Sequence, residues 1–132
     1  LFALSSPKVE RIALADPDLA PAGSYSREAL RAAGLWESLQ PKIVLGQDVR
    51  STMAFVEAGN ADVALVYATD AAIARGVETL DIVPHDSYGP IVYPIVTVKS
   101  EGSTEAADAF VKFLLSPDAQ EIFLSHGFEP VR

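Results

Sequence analysis

The sequence predicts an α/β fold, in which helices flank a mainly parallel mixed sheet, on three observations. Short apolar runs alternate with amphipathic helical patterns along most of the chain, as crossover connections between parallel strands require. Residues 63–67 are almost wholly apolar, which is typical of a strand covered on both faces. Glycines such as Gly34 and Gly59 stand where helical patterns stop. With 132 residues, 49% of them hydrophobic, the chain can form a packed core.

Five apolar runs are predicted strands, and a helix is predicted after each of the first three. The helices cover residues 25–33, closed by Gly34, residues 49–58, and residues 70–75 with Thr69 as N-cap. The predicted strands are residues 11–15, 42–45, 63–67, 79–83 and 92–98.

The pattern after Pro94 predicts a strand over residues 95–99 followed by two amphipathic helices. Ser103 is the predicted N-cap of the first helix, and the second begins at Ser116–Pro117 and ends at Gly127. The first helix is expected to bury one side, formed by Ala106, Phe110, Phe113 and Leu114.

Charge and composition exclude several classes of function. Ten Lys and Arg against 18 Asp and Glu give a net charge of −8, which argues against a nucleic-acid partner and an anionic membrane surface. Cysteine is absent, so the sequence has no disulfide and no thiolate metal site. No apolar stretch reaches the length of a membrane span, so we expect no direct membrane insertion. The chain starts at Leu1 without a secretory signal, and we expect it to begin inside a longer polypeptide.

Two helix beginnings, in residues 15–24 and 46–52, favour the binding of an anion. Free backbone N–H groups at a helix start carry a partial positive charge and point beyond the helix end, where a small oxyanion can accept them. Plainer interpretations stay open on the residues alone. Ala22 and Gly23 can simply allow a tight turn into a helix, and Tyr67 can be a core ring with its hydroxyl on a carbonyl.

Few residues support enzyme chemistry. The sequence contains no cysteine nucleophile, no Gly-x-Ser-x-Gly string and no phosphate-loop motif. His85 stands beside Asp86 in a polar loop, and adjacent residues rarely converge on one metal ion. We therefore predict a binding protein without catalytic residues, cofactor or directly coordinated metal.

An ordered set of motifs covers nearly the whole chain and resembles one family. The motifs are Ile12-Ala13-Leu14-Ala15-Asp16-Pro17, Ala20-Pro21-Ala22-Gly23, Ala33-Gly34-Leu35-Trp36, Gln47-Asp48-Val49-Arg50, Gly59-Asn60-Ala61-Asp62, Val66-Tyr67, Tyr93-Pro94-Ile95 and Phe113-Leu114-Leu115-Ser116-Pro117 through Gly127-Phe128. Their order and spacing are similar to those of the periplasmic molybdate-binding proteins of ABC transporters. The resemblance implies a type II periplasmic-binding fold, in which two lobes close on molybdate or tungstate.

The resemblance also implies which residues bind the oxyanion. It assigns the backbone N–H of Ala22, the backbone N–H of Val49 and the hydroxyl of Tyr67 as donors from the second lobe. The remaining donors in the family belong to the first lobe, upstream of Leu1. The resemblance further implies a periplasmic location, an export signal upstream of this chain, and delivery of the ligand to an ABC transporter permease.

The resemblance divides the chain into residues 1–93, the second lobe, and residues 94–132, a return strand and C-terminal helices that pack on the first lobe. Without the first lobe, four aromatic side chains are expected to lack cover. We therefore expect a dimer formed by segment exchange, or a rearranged C-terminal segment. The four side chains are Phe110, Phe113, Phe123 and Phe128.

Two other functions stay open at this point. The same fold serves as the effector-sensing domain of transcription regulators, which would carry a DNA-binding domain upstream. Alternatively, the chain belongs to a binding protein for another anion, such as sulfate, phosphate or a carboxylate.

Overall fold

The computed structural model describes residues 1–98 and 104–130 of the chain. The chain divides into two compact units, Leu1–Pro90 and Ile91–Arg132. The predicted α/β class, with a parallel sheet and flanking helices, is confirmed. The assignment of residues 1–93 and 94–132 to different lobes stays a prediction. In the described part of the chain, no helix is long and apolar enough to cross a membrane.

A three-stranded parallel sheet forms the centre of the first unit. Its strands are β1 (Ile12–Ala15), β2 (Ile43–Gly46) and β3 (Val63–Ala64), in the order β2-β1-β3. Ile12 of β1 lies opposite both Ile43 and Val63, one on each side. All four residues of β1 are 0% exposed. β1 is therefore the buried centre to which the other elements are attached.

Four helices accompany this sheet: α1 (Pro21–Ala32), α2 (Trp36–Leu39), α3 (Val49–Glu57) and α4 (Ala68–Ala71). The connection from β1 to β2 contains α1, and the connection from β2 to β3 contains α3. Because β2 and β3 lie on opposite sides of β1, right-handed crossovers place α1 and α3 on opposite faces of the sheet.

Leucine side chains form most of the core of the first unit. Leu30, on the inner face of α1, is 0% exposed, and truncating such a leucine to alanine typically costs about 2–5 kcal/mol. The predicted glycine stop of α1 is confirmed, since Gly34 has a φ of 69° and the Leu35 N–H donates to the Leu30 carbonyl at 2.8 Å. The buried cluster comprises Leu4, Ile12, Leu14, Leu30, Leu35, Leu39 and Leu65.

The strands predicted over residues 79–83 and 92–98 are wrong, because neither range has strand structure. The described part of the predicted strand 95–99, residues 95–98, is not a strand either, and residue 99 lies outside the described residues. A strand needs hydrogen bonds from a neighbouring strand, and among the described residues none pairs with these segments. Their apolar side chains are accordingly exposed, as in Leu80 (75%) and Val96 (79%).

Two helices of the first unit begin earlier than predicted. α1 begins at Pro21, because proline is favoured at the first helical position, and this puts Ala22 in the first turn. α4 covers Ala68–Ala71, so only residues 70 and 71 of the predicted helix 70–75 are helical, and its N-cap is Tyr67 instead of the predicted Thr69. The N–H groups of the first turn of α4 donate to the Tyr67 carbonyl at 3.1 and 3.0 Å.

The second unit contains α5 (Thr104–Leu114) and α6 (Pro117–Ser125). Ser116 caps α6 as predicted, since its hydroxyl accepts the N–H of Ala119 at 3.4 Å. The predicted stop at Gly127 is also confirmed, with a φ of 84°. The predicted N-cap of α5, Ser103, lies outside the described residues.

The predicted burial of one side of α5 is wrong, because no residue of this helix is buried. Phe110 and Phe113 stack on each other with their ring centroids 6.4 Å apart, yet they are 57% and 48% exposed. Two contacting aromatic rings shield only part of each other's surface. Within the second unit, α5 therefore presents an uncovered apolar face.

Two glycines allow helix starts to approach strand ends in the first unit. A Cβ placed on Gly46, the last residue of β2, would lie 2.5 Å from Thr52 Oγ1 and 2.8 Å from the Thr52 nitrogen. A Cβ placed on Gly23, in the first turn of α1, would collide with the carbonyl of Ala15 at the end of β1. Any side chain at either position would push the helix away from its strand.

Asp62 links the start of β1 to the turn before β3. Its Oδ2 accepts the N–H of Glu10 at 2.7 Å and the N–H of Arg11 at 2.8 Å. These bonds, that of Arg11 first, lower the pKa of Asp62 below its ordinary value of 3.8. Protonation of Asp62 therefore weakens the link.

We expect Gly46→Ala to lower the free energy of unfolding by about 1–3 kcal/mol, because its Cβ would meet the backbone nitrogen of Thr52. Urea unfolding followed by circular dichroism measures the change. Gly89→Ala is the matched control, since a Cβ there comes no closer than 3.5 Å to another group, Glu28 Oε2. Equal stability of Gly46→Ala and the wild type would contradict the close approach.

The pH dependence of unfolding tests the Asp62 link. The pKa of Asp62 is lower in the folded protein than its ordinary value of 3.8. The Asp62 carboxylate therefore stabilises the folded state fully above pH 3.8, and this stabilisation is lost as the pH falls through the folded-state pKa. We expect Asp62→Asn to be less stable than the wild type near neutral pH and to lose less stability on acidification. Urea midpoints at several pH values provide the measurement, with Asp108→Asn on the exposed surface of α5 as control. Parallel pH curves for Asp62→Asn and the wild type would show that the carboxylate contributes nothing.

Candidate functional site

The three predicted donors lie at the same edge of the sheet. β1, β2 and β3 are parallel, so their carboxyl ends point to one edge, and each is followed by the start of a helix. Ala22 is in the first turn of α1, Val49 is the first residue of α3, and Tyr67 is the N-cap of α4. Ligands of open α/β sheets bind at this edge.

The turn from β1 into α1 leaves one backbone N–H available, that of Ala22. Pro17 and Pro21 have no N–H group. No acceptor for the Ala22 N–H is found among the described residues, although Ala22 is only 6% exposed. Buried backbone N–H groups are nearly always paired, so this donor calls for a partner from outside. The engaged donors of the turn are the N–H groups of Asp16, Asp18, Leu19, Ala20, Gly23 and Ser24.

A capping box at the start of α3 likewise leaves the backbone N–H of Val49 available. The Asp48 carboxylate accepts the N–H of Ser51 at 2.7 Å and also that of Arg50, while the Ser51 hydroxyl accepts the N–H of Asp48 at 3.1 Å. The N–H of Thr52 donates to the Asp48 carbonyl at 3.1 Å. Over residues 48–52, the N–H of Val49 is left without an acceptor in the described chain.

Tyr67 lies three residues beyond β3 and is partly buried. Its backbone is extended, with φ −70° and ψ 149°, and its carbonyl accepts the first hydrogen bonds of α4. The pairing with β1 continues to Leu65, whose N–H donates to the Ala13 carbonyl at 3.1 Å. Tyr67 is therefore held at the carboxyl edge through its backbone, and the role of its hydroxyl stays a prediction.

The hydroxyl groups near the two helix starts are mostly engaged with backbone carbonyls. Ser24 Oγ donates to the Pro17 carbonyl at 2.9 Å. The buried Ser26 and Thr52 donate to carbonyls four residues earlier, at 2.8 and 2.7 Å. Among the hydroxyl residues of the two turns, only Ser51 takes part in a helix cap. The neighbouring hydroxyls thus order the turns, and the backbone amides remain as donors.

Charged groups near this edge of the sheet affect each other's pKa values. Hydrogen bonds from the N–H and side chain of Ser51, and to a lesser degree the nearby Arg50, lower the pKa of Asp48. Burial raises the pKa of Asp70 in the first turn of α4, and Arg50 acts in the opposite direction. The Arg50 side chain is exposed. Its charge acts on the two carboxylates.

A shallow depression of about 160 Å³ lies at the opposite, amino edge of the sheet, before β1 and β3. Its most polar group, the Asp62 carboxylate, already accepts two backbone N–H groups. This depression repels an anion and is separate from the predicted donors. It is lined by Glu10, Arg11, Gly59, Asn60, Ala61 and Asp62.

Sequence reasoning missed the role of three residues at the carboxyl edge. Gly23 and Gly46 are required by the close approach of helix to strand, and Asp48 is the N-cap of α3. The pattern Asp48-x-x-Ser51 could have indicated the cap, because Asp is a preferred N-cap residue. The need for the two glycines depends on distances between elements, which no local pattern contains.

Comparison with known proteins places the chain in a family. Residues 1–129 match the family described as "Bacterial extracellular solute-binding protein". The chain is 40% identical over 119 residues to the putative ABC transporter substrate-binding lipoprotein YvgL of Bacillus subtilis (strain 168). It is 38% identical over 118 residues to the molybdate-binding protein ModA of Escherichia coli (strain K12). These matches cover 90% and 89% of the chain but 46% of each relative, so the chain spans about half the length of the curated relatives it matches.

Two further similarities concern the ligand class and the fold. A sulfate-binding protein of Synechocystis sp. is 38% identical over 95 residues, covering 67% of this chain and 27% of that protein. The solved substrate binding domain of a putative molybdenum ABC transporter from Clostridium difficile superimposes with a TM-score of 0.88 and 33% identity, covering 100% of this chain and 58% of that one. The fold is thus that of type II periplasmic binding proteins, as the motifs implied. The chain belongs to the bacterial extracellular solute-binding protein family.

Proposed function

We propose that the protein binds a tetrahedral oxyanion, molybdate or tungstate, and delivers it to the permease of an ABC transporter for uptake. This chain contributes the backbone N–H of Ala22, the backbone N–H of Val49 and the hydroxyl of Tyr67 to the site. Other donors come from the part of the protein that the longer relatives have beyond this match.

The observation that carries the proposal is the Ala22 N–H. It belongs to a residue that is 6% exposed, it lies in the first turn of a helix of 12 residues, and it has no acceptor among the described residues. A bound oxyanion would accept this N–H at the positive end of the helix dipole. The Val49 N–H repeats the arrangement after the neighbouring strand. The resemblance to the molybdate-binding family implies the same two donors.

The names of the relatives support molybdate over sulfate. The match to the Escherichia coli molybdate-binding protein extends over 89% of this chain, against 67% for the Synechocystis sulfate-binding protein. Sulfate remains the second candidate because it has the same charge and shape. The two anions differ in size, so a rigid backbone must discriminate between them by the dimensions of the cavity.

Uncharged donors suit a fully ionised anion. An amide N–H and a phenol O–H can donate to every oxygen of a dianion, whereas a protonated oxyanion brings an O–H that needs an acceptor. The overall charge of −8 does not prevent binding, because screening weakens charges beyond about 8 Å at physiological salt. Short-range hydrogen bonds in a sheltered site then dominate.

The proposal requires neither catalysis nor a cofactor. Every assigned group is a hydrogen-bond donor, and none is a nucleophile or a general base. The location that fits is the periplasm, or the outer face of the membrane for a lipoprotein, with the export signal upstream of this chain. The family and the names of the relatives support this proposed location.

We expect Tyr67→Phe in the complete protein to weaken molybdate binding by about 1–3 kcal/mol, the cost of deleting a donor to a charged partner. Isothermal titration calorimetry measures the affinity. Tyr93→Phe is the control, because the Tyr93 ring packs on Phe128 and its hydroxyl has no assigned role. Unchanged affinity of Tyr67→Phe would remove Tyr67 from the site.

We expect molybdate and tungstate to raise the melting temperature of the complete protein more than sulfate or phosphate do. A ligand present at a hundred times its dissociation constant stabilises the native state by about 2.7 kcal/mol. A thermal-shift series with the four sodium salts at equal ionic strength provides the comparison. A larger shift with sulfate would make the protein a sulfate-binding protein, and no shift with any of the four would refute the oxyanion proposal.

We expect the 132-residue chain on its own to associate into a dimer through its second unit, because Phe110 and Phe113 are exposed there. Light scattering gives the mass, and Phe113→Ser should shift it toward the monomer. A monomeric mass together with a protease-resistant C-terminal segment would contradict segment exchange.

A further inference from the structure

A fully buried threonine lies directly behind one of the two amide donors. Thr52, the fourth residue of α3, is 0% exposed, and its hydroxyl donates to the Asp48 carbonyl at 2.7 Å. The backbone N–H of Thr52 donates to the same carbonyl at 3.1 Å, and the Ser51 hydroxyl donates to it at 3.0 Å. A carbonyl oxygen has two lone pairs, so three converging donors engage it completely.

The Asp48 carbonyl and the Val49 N–H belong to the same peptide group. A peptide group is planar and trans, so its C=O and its N–H are held in opposite directions. The carbonyl points into α3, toward Thr52, and the Val49 N–H consequently points out of the helix start, where an anion is stabilised. Bonds that fix the direction of the carbonyl therefore also fix the direction of the donor.

The same bonds change the strength of the donor. Hydrogen bonds in a chain polarise one another, so a peptide whose carbonyl accepts strongly has an N–H that donates more strongly. The hydroxyl bond is the shortest of the three, and it lies where water does not reach. Gly46 closes the site around the hydroxyl, since a Cβ there would lie 2.5 Å from Thr52 Oγ1. Thr52 thus contributes most directly to the polarisation of this peptide.

Ser26 in α1 makes a bond of the same kind one peptide away from the other donor. Its buried hydroxyl donates to the Ala22 carbonyl at 2.8 Å. That carbonyl shares its peptide group with the N–H of Gly23, which already donates to the Ala20 carbonyl at 3.0 Å. The Ala22 N–H belongs to the preceding peptide group. Ser26 therefore satisfies its own hydroxyl within the helix, as serine and threonine often do, and does not act on a free donor.

We propose that Thr52 is a positioning residue for the oxyanion, because its hydroxyl orients and polarises the peptide group that carries the Val49 N–H. Thr52 is 0% exposed, so it acts through this peptide group and not by touching the ligand. The inference rests on the proposed function, since it requires an oxyanion at the Val49 N–H. It adds a side chain to a site whose donors on α1 and α3 are otherwise backbone groups.

Molybdate titration of the complete protein by calorimetry tests the role of the hydroxyl. Thr52→Ser and Thr52→Ala both lack the methyl group of threonine and differ from each other only in the hydroxyl. We expect Thr52→Ser to bind like the wild type and Thr52→Ala to bind about two- to fivefold more weakly, the effect of losing part of the strength of one hydrogen bond to a charged partner. Ser26→Ala removes the matched hydroxyl of α1 and should leave the affinity unchanged.

Urea unfolding of the same variants separates positioning from general stability. Ser26→Ala and Thr52→Ala each lose one buried hydroxyl bond, so a purely structural role predicts that both weaken molybdate binding in proportion to the stability that they lose. That result would overturn the inference. Should Thr52→Ala not fold, Thr52→Val removes the hydroxyl while keeping most of the volume, and the same loss of affinity is expected.

Two outcomes distinguish this inference from the proposed function. Equal affinities of Thr52→Ser and Thr52→Ala would overturn the role of Thr52 and leave molybdate binding by the wild type intact. Failure of the wild type to bind molybdate would instead count against the proposed function, and the inference would fall with it.

Discussion

The parallel pairing of β1 with strands on both sides is the constraint on which the candidate site depends. The carboxyl ends of the three strands lie at one edge of the sheet, and the helices that follow the strands begin at that same edge. Gly23 and Gly46 then set how closely α1 and α3 approach their strands, because a Cβ at either position would meet the backbone. Donor geometry is therefore controlled by covalent structure and packing in the buried centre. The Asp48 carboxylate adds to this control by capping α3.

Local patterns predicted β1, β2, α1, α3 and α6 well, and they predicted residues 79–83 and 92–98 poorly. Strands β1 and β2 and helices α1 and α3 combine a periodic apolar pattern with a glycine stop such as Gly34, and both signals are present in a short window of sequence. The runs at residues 79–83 and 92–98 have the same apolar character, but strand structure also requires a partner, which local pattern does not contain. The buried side expected for α5 failed for the same reason.

The candidate site also combines features that the sequence could predict with features that it could not. The family resemblance implies Ala22, Val49 and Tyr67 as donors, which stays a prediction, and the edge of the sheet on which they lie follows from the alternation of strands and helices. Motifs did not show which N–H groups would be left over, because that depends on acceptors several residues away, such as the Asp48 carboxylate and the Ala20 carbonyl. The hydrogen bond from the Gly89 N–H to the Glu28 carboxylate was also out of reach, since the two residues are 61 positions apart.

The two prolines of the turn into α1 have a consequence for how this site changes over evolutionary time. Pro17 and Pro21 have no backbone N–H group. All other N–H groups of the turn except that of Ala22 donate to acceptors within the described chain. The number of contacts that this turn offers is thus limited by chemical composition as well as by conformation. Replacing either proline by another amino acid would add a backbone N–H donor to the turn. A single substitution of this kind would change the number of hydrogen bonds that the turn offers to a ligand, and it would not require a new side chain in the site.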